Sequence, residues 1–268
     1  MGSACPARPG GETINEGNGL KYAISSSYGN DSVAMIQWAR EQVLPDVSVV
    51  FVDTGWSAPG WLDRVARMEA WVESVGYRAV HLRAAVGFED LMVQKKGFPS
   101  QRYQWCSAML KGVPFLNWID EVDPDGRAAV MIGKRREESQ ERADTPEFIE
   151  ASEYHGDRRV WHPLYLHTDA MRNELLARAG FDPLPHRSKE CAPCVNANRG
   201  DLRLLTEEDI SRVEALEATV GKTMFRPARH GGAKGIRRVV AWAYADHGKY
   251  DDRQESMFNH CSSGYCGF

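Results

Sequence analysis

The 268-residue chain is 43% hydrophobic and 26% charged, proportions that suit one sizeable α/β core with a smaller appendage and exclude a disordered or fibrous protein. A net charge of −4 removes any bulk electrostatic case for nucleic-acid binding, so such a partner has to be argued from a local patch. No apolar run nears the roughly 18 residues that crossing a bilayer takes, and the N-terminus lacks a secretory pattern, so the expectation is a cytoplasmic protein with no membrane partner.

Residues 1–18, rich in Gly and Pro and poor in apolar side chains, read as a disordered leader. The run Lys21 to Ser26 then breaks at Gly29, and Val33, Ile36, Ala39, Val43 and Leu44 recur at helical spacing, giving strand, loop and helix. Val47 to Val52 has the β-branched and aromatic character of a strand buried on both faces, and it ends at Asp53-Thr54-Gly55. A helix is predicted over Trp61 to Val75, with Gly76 as its stop signal. Strands are predicted at Arg78 to Leu82 and Ala128 to Ile132. After about residue 165 the pattern turns helical, over Asp169 to Ala179, Thr206 to Val220 and Ile236 to His247.

Strands alternating with helices imply an α/β fold with a Rossmann-like, mainly parallel sheet and helices on both faces, whose crevice lies outside the carboxyl ends of the strands. A C-terminal helical extension containing cysteines completes the predicted architecture.

Three motifs follow predicted strand ends. Ser25, Ser26, Ser27, Gly29 and Ser32 are small or hydroxylated residues leading into a helix start, where backbone N–H groups and the helix dipole favour an anion. The loop is neither G-x-x-x-x-G-K-[ST] nor G-x-G-x-x-G. A capped helix with Asp31 near its start is the alternative for this segment alone. The block Gly133-Lys134-Arg135-Arg136-Glu137-Glu138-Ser139-Gln140-Glu141-Arg142 offers guanidinium forks for phosphate, or, alternatively, arginines neutralised by glutamates at helical spacing. The six cysteines (Cys5, Cys106, Cys191, Cys194, Cys261 and Cys266) suit metal binding or catalysis better than a disulfide framework in such a chain. Cys191-Ala192-Pro193-Cys194 fits a zinc half-site, a redox dithiol or half of an iron–sulfur site.

Ser27-x-Gly29-x-Asp31-Ser32 resembles the pyrophosphate loop, usually S-G-G-x-D-S, of the adenine nucleotide alpha-hydrolase superfamily, the PP-loop ATP pyrophosphatases; Tyr28 stands where that loop usually has its first Gly. Asp53-Thr54-Gly55, Arg102-x-x-x-Cys106-x-x-x-x-Lys111 and the Gly133 to Arg142 block follow in the order of the phosphoadenylylsulfate (PAPS) reductase-like branch. The resemblance implies a nucleotide-binding PP-loop domain over residues 19–165 and a helical extension over 166–268. It further implies that Ser25, Ser26, Ser27, Gly29, Asp31, Ser32, Asp53, Thr54, Gly55, Lys111, Gly133, Arg135, Arg136, Ser139 and Arg142 hold ATP, or alternatively PAPS or adenylylsulfate (APS). Asp31 is a candidate metal-site carboxylate for Mg²⁺, and Arg135 and Arg142 are candidates to meet charge developing during catalysis.

In the cluster-bearing members of this branch the C-x-x-C pair works with cysteines of the earlier segment. That implies a [4Fe–4S] cluster on Cys106, Cys191, Cys194 and Cys266, with Cys261 as the substitute fourth ligand and Zn²⁺ as the alternative metal. The ending Tyr265-Cys266-Gly267-Phe268 keeps the Cys-Gly of the reductase motif E-C-G-x-H and lacks its Glu and His. The resemblance therefore favours an ATP pyrophosphatase that adenylates an acceptor for sulfur transfer onto a nucleic acid, as in DNA phosphorothioation or thiolation. The acid-free segment Lys222 to Arg238 would grip that acceptor. A sulfonucleotide reductase releasing sulfite, and a non-catalytic nucleotide-binding partner of a cysteine desulfurase, are the other expectations.

Overall fold

The computed structural model describes residues 19–138, 140–185 and 190–245. In chain order the elements are β1 (Tyr22–Ser25), α1 (Asn30–Glu41), β2 (Val47–Asp53), α2 (Trp61–Ser74), β3 (Arg78–Arg83) and α3 (Phe88–Lys95). A short α4 (Trp105–Ser107) runs through a π-helical turn (Ala108–Gly112) into α5 (Val113–Val122). Then follow β4 (Ala129–Met131), α6 (Gln140–Ala143), β5 (Phe148–Ser152), β6 (Arg158–Trp161), α7 (Asp169–Arg178), α8 (Arg199–Arg203), α9 (Glu207–Val220) and α10 (Ile236–Tyr244).

The six strands lie in the order β3-β2-β1-β4-β6-β5, parallel except for β5, which runs antiparallel to β6 at the edge. All seven residues of β2 are buried, as its unbroken apolar character requires of a strand covered on both faces. Successive side chains alternate between those faces. Ile24, Val49, Phe51 and Met131 pack with Val33 and Ile36 of α1, Val65, Met68 and Val72 of α2, and Leu175 and Leu176 of α7. Ala23, Val50, Val52 and Val130 pack with Phe115, Trp118 and Ile119 of α5. The fold is thus the Rossmann-like α/β arrangement that the alternating pattern implied.

A further apolar cluster joins Phe88, Leu91 and Met92 of α3 to Leu202 of α8, to Ile210, Val213 and Leu216 of α9, and to Ile236, Val239 and Ala243 of α10, with Trp56 from the loop after β2. Helices α8 and α9 each start with a reciprocal capping box, Asn198 with Asp201 and Thr206 with Asp209. Gly76, at φ 86°, supplies the left-handed residue that ends α2. The β5–β6 hairpin was not evident from periodicity: β5 buries none of its residues fully, so its sequence carries little alternation. Among the described residues no helix is long and apolar enough to cross a membrane.

His155 and His162 flank β6 and are almost completely buried. Burial pushes each down to about 4, and the positive charge of nearby Lys134 lowers both. Their folded-state values lie below the ordinary 6.5, so their stabilising contribution is complete above pH 6.5 and is lost as pH falls toward 4. Urea melts from pH 7 to 4 should therefore show stability falling by up to about 3 kcal/mol per histidine. The His155→Gln/His162→Gln variant should flatten that part of the profile.

Candidate functional site

Strands β1 and β4 are neighbours, but the chain leaves β1 toward β2 on one side and β4 toward β6 on the other. Such a reversal opens a crevice at the carboxyl ends of the strands. The loop after β1 enters it with Ser25, Ser26 and Ser27 buried. Tyr28 turns the chain at φ 57°, and Gly29 is the N-cap of α1. No side chain caps this helix, which leaves its first-turn N–H groups available to an anion. Asp31 is therefore not the capping residue. From α2, Trp61 Nε1 donates to the Ser27 carbonyl at 3.1 Å and Arg64 Nε to the Tyr28 carbonyl at 2.8 Å, tying the loop to the helix beside it. Ser32 Oγ donates to the Gly29 carbonyl at 3.3 Å.

The backbone at Tyr28 explains how a tyrosine occupies a glycine position. A left-handed residue with a side chain costs roughly 1–2 kcal/mol, while full burial of a large apolar side chain contributes about as much or more. The Tyr28 ring is fully buried, 6.0 Å between centroids from Phe51, and its hydroxyl has no hydrogen-bond partner among the described residues.

Gly133, after β4, lies so close to α1 that a Cβ there would stand 3.3 Å from the Asp31 backbone. This close approach brings Arg135 under α1. Arg135 is 3% exposed; its Nε bonds the Asp31 carboxylate at 2.5 Å, and its remaining nitrogens reach Asp169 at 2.8 Å, Glu137 at 3.4 Å and the His167 carbonyl at 3.3 Å. Among the described residues three carboxylates hold Arg135, the arrangement given as the alternative to a phosphate-binding fork. Arg142 is likewise paired with Glu138, one helical turn away. Burial pushes the Asp31 carboxyl above its ordinary value, Glu138 adds to the rise, and Arg135 opposes it. Arg136 is exposed, with its guanidinium 5.1 Å from the Tyr165 ring centroid. Lys134 is half-buried, and Ser139 lies outside the described residues.

At the end of β2, Asp53 Oδ1 accepts from Gly55 N at 2.8 Å, and Thr54 Oγ1 accepts from Trp56 N at 3.3 Å. Both side chains serve the turn. Lys111, from the π-helical turn, donates to Glu190 Oε2 at 2.6 Å; Glu190 is buried and the Lys111 side chain is 13% exposed. Burial pulls the Lys111 value down, but Glu190, with smaller contributions from Cys191 and Cys194, more than offsets this and leaves it raised. Lys111 and Glu190 line a narrow recess together with Ser25, Ser26, Val50 and Val52. Glu190 Oε1 is buried without a partner among the described residues. Glu190 escaped the sequence reading, which saw only its neighbour, the C-x-x-C pair.

Cys106, Cys191 and Cys194 all pack against the helical cluster, and Cys191 feels both other thiols and Lys111. Burial pushes the Cys106 thiol up to about 12, with Cys194 adding to the rise, and pushes Cys191 well above its ordinary value. Asn196 N donates to Cys194 Sγ at 3.4 Å. Among the described residues no three His, Cys, Asp or Glu side chains form a ready metal-holding group. Cys5, Cys261 and Cys266 lie outside those residues. In the basic segment Lys222, Arg226, Arg229, Lys234, Arg237 and Arg238 are exposed, but Arg237 is bound by Glu207 at 2.6 Å and Glu214 at 2.7 Å.

The chain, with a mostly parallel sheet, a serine-rich loop after the first strand and a second loop brought against α1 by Gly133, is a member of the PP-loop ATP pyrophosphatase superfamily. The family model of the phosphoadenosine phosphosulfate reductase domain matches residues 21–191, and the chain belongs to that family. An uncharacterized 37.8 kDa protein of Escherichia phage 186 is 27% identical over 202 residues, 66% of this chain and 58% of the relative. An uncharacterized Methanocaldococcus jannaschii protein is 30% identical over 120 residues, 45% of this chain and 24% of the relative. The chain thus spans little more than half of the phage relative and about a quarter of the archaeal one. Among solved structures it is similar to the PAPS reductase of Candida auris in a phosphate complex, with TM-score 0.44 and 16% identity over 63% of this chain and 76% of that one. It is also similar to the U34-tRNA thiolase NcsA of Methanococcus maripaludis with its [4Fe–4S] cluster, with TM-score 0.45 and 14% identity over 88% and 77%.

Two substitutions separate packing from binding. Tyr28→Phe removes a hydroxyl that has no partner among the described residues and should stabilise the fold by about 1 kcal/mol in denaturant titrations, with nucleotide affinity unchanged. Arg135→Met leaves the Asp31 carboxylate buried without its closest counter-charge and should cost about 3–5 kcal/mol in the same titration.

Proposed function

We propose that this protein cleaves ATP between its α- and β-phosphates to activate an acceptor oxygen for replacement by sulfur, and that the acceptor is a nucleic acid. The observation that carries this reading is the recess in which Ser25 and Ser26 of the phosphate loop meet Lys111 and Glu190, which in turn adjoin Cys191. Anion binding and thiol chemistry thereby share one wall.

In the first step the acceptor oxygen attacks the α-phosphorus, the bond to the bridging oxygen breaks, and pyrophosphate leaves with the electron pair. The Ser25 to Ser32 loop and the start of α1 hold that pyrophosphate, and Lys111 supplies fixed positive charge beside the recess. In the second step hydrosulfide bonds through its sulfur to the activated centre, AMP leaves with the oxygen and its electron pair, and the S–H proton passes to solvent. Arg135 positions Asp31 and α1 rather than touching the nucleotide. The described residues make no preformed magnesium site: Asp31 is bonded to Arg135, and Asp53 accepts from Gly55. Magnesium fits here as an ion arriving on the triphosphate.

Cys106, Cys191 and Cys194 suit an iron–sulfur cluster by their donor chemistry: three partly buried thiols near a lysine, one already accepting an N–H bond. Cys266, or Cys261 in its place, is the proposed fourth ligand. Such a cluster, when bound, supplies a soft, redox-active anchor for sulfur.

Reduction of PAPS or APS to sulfite is the second reading, favoured by membership of the reductase domain family. Against it stands Tyr265, which precedes Cys266-Gly267 where the reductase motif has its Glu. Full-length protein purified without oxygen should be brown, lose its colour in Cys191→Ala, and release pyrophosphate from ATP with Mg²⁺ when given an acceptor. Sulfite released from PAPS or APS with thioredoxin, and no pyrophosphate from ATP, would establish the second reading instead. A colourless protein carrying one zinc per chain would remove the cluster from either scheme.

A further inference from the structure

The two longest stretches of sequence without Asp or Glu run from Leu91 to Ile119 and from Ala218 to Ala245. In a chain with 37 acidic residues, such gaps are where cations keep an unscreened field. The fold brings the two together. A Cβ at Gly97, just after α3, would stand 3.6 Å from Lys222 Nζ, just after α9. Around this junction Lys95, Lys96 and Lys222 are exposed. Lys96 moreover holds a left-handed backbone (φ 50°, ψ 40°) at the C-cap of α3, a place that favours Gly or Asn, so a lysine stands there against backbone preference.

The same connection continues into Arg102 and Tyr103 and then into the helix that carries Cys106. Tyr103 is 65% exposed, and the Arg102 guanidinium lies 5.8 Å from its ring centroid. An exposed tyrosine paired with an arginine offers a face on which an unpaired base stacks, while duplex DNA keeps its bases stacked on one another. Arg237, which belonged to the basic segment in the sequence, drops out because Glu207 and Glu214 neutralise it.

We propose that Lys222, Lys95, Lys96 and the Arg102–Tyr103 pair form a docking strip for unpaired nucleic acid, with the lysines on phosphates and Tyr103 under a base, leading the strand to the Cys106 end of the site. This rests on the nucleic-acid acceptor proposed above and narrows it to single-stranded or looped substrate.

The test is fluorescence anisotropy of the full-length, anaerobically prepared protein with a labelled mixed-sequence oligonucleotide, alone and annealed to its complement, across a salt series. The unpaired strand should bind more tightly, and Tyr103→Ala should weaken it about tenfold while Tyr103→Phe retains binding. The Lys95→Ala/Lys96→Ala/Lys222→Ala variant should flatten the salt dependence by about two units of slope. Thermal melts control for folding, and these side chains are exposed. Equal or tighter binding of the duplex, unchanged binding in Tyr103→Ala, or equal binding of a poly-glutamate chain would each overturn the strip. Nucleotide affinity, read with a fluorescent ATP analogue in the absence of nucleic acid, reports separately on the ATP reading: binding there with no oligonucleotide binding rejects the strip alone.

Discussion

The ion pair between Lys111 and Glu190 is the constraint on which the arrangement of this molecule turns. The Glu190 side chain is buried and that of Lys111 largely so, and charges so far removed from water are tolerated only as partners. Meeting that condition fixes three things at once. The π-helical turn that carries Lys111 must face the C-x-x-C loop, the loop must lie across the end of β2, and both must sit beneath the serines after β1. Neighbouring contacts reinforce this register: Ala58 N donates to the Glu190 carbonyl at 2.7 Å, Ser57 bridges Cys191, and Trp56 Nε1 donates to the Pro193 carbonyl at 3.0 Å. Arg212 of α9 then closes over Trp56, 3.9 Å from its ring centroid, while bonding the Gly55 carbonyl at 2.7 Å. The helical cluster is thereby joined to the turn after β2 by polar bonds as well as by apolar packing.

A second network does comparable work on the other side of the crevice. Arg135 gathers Asp31 from α1 and Asp169 from α7, and Arg172 adds a second cation at 2.8 Å from Asp169. Because Asp31 sits in the first turn of α1, this network holds the helix start whose N–H groups face the crevice. An arginine that resembles a phosphate ligand in sequence is thus engaged by the Asp31 carboxylate at the start of α1. The guanidinium fork suits a carboxylate as well as it suits a phosphate.

The main sheet was legible because its signals are local. The unbroken apolar run of β2, the helical stripe of α2 and the glycine after it each determine their own element. The serine loop resembled a pyrophosphate loop only in the company of the ordered blocks that follow it; by itself it read equally as a capped helix. Glu190 was not legible: its partner lies 79 residues away, and no spacing rule connects a lysine in a helix with a glutamate before a cysteine. The role of Arg135 was hidden for the same reason, since its carboxylates come from positions 104 and 34 residues distant. The substitution of Tyr28 for glycine was visible, but its accommodation depends on a hydrophobic space beside Phe51 that only the folded chain reveals.

The proposed function makes nucleotide and metal two occupants of one site, joined through Lys111 and Glu190, and a single spectroscopic titration addresses that directly. Visible and EPR spectra of the iron-loaded protein would be recorded during addition of ATP, in wild type and in Lys111→Met/Glu190→Gln. Coupling through the ion pair predicts a saturable spectral change in wild type that tracks ATP binding and disappears in the double variant while the iron remains bound. ATP binding that leaves the wild-type spectrum unaltered would contradict it.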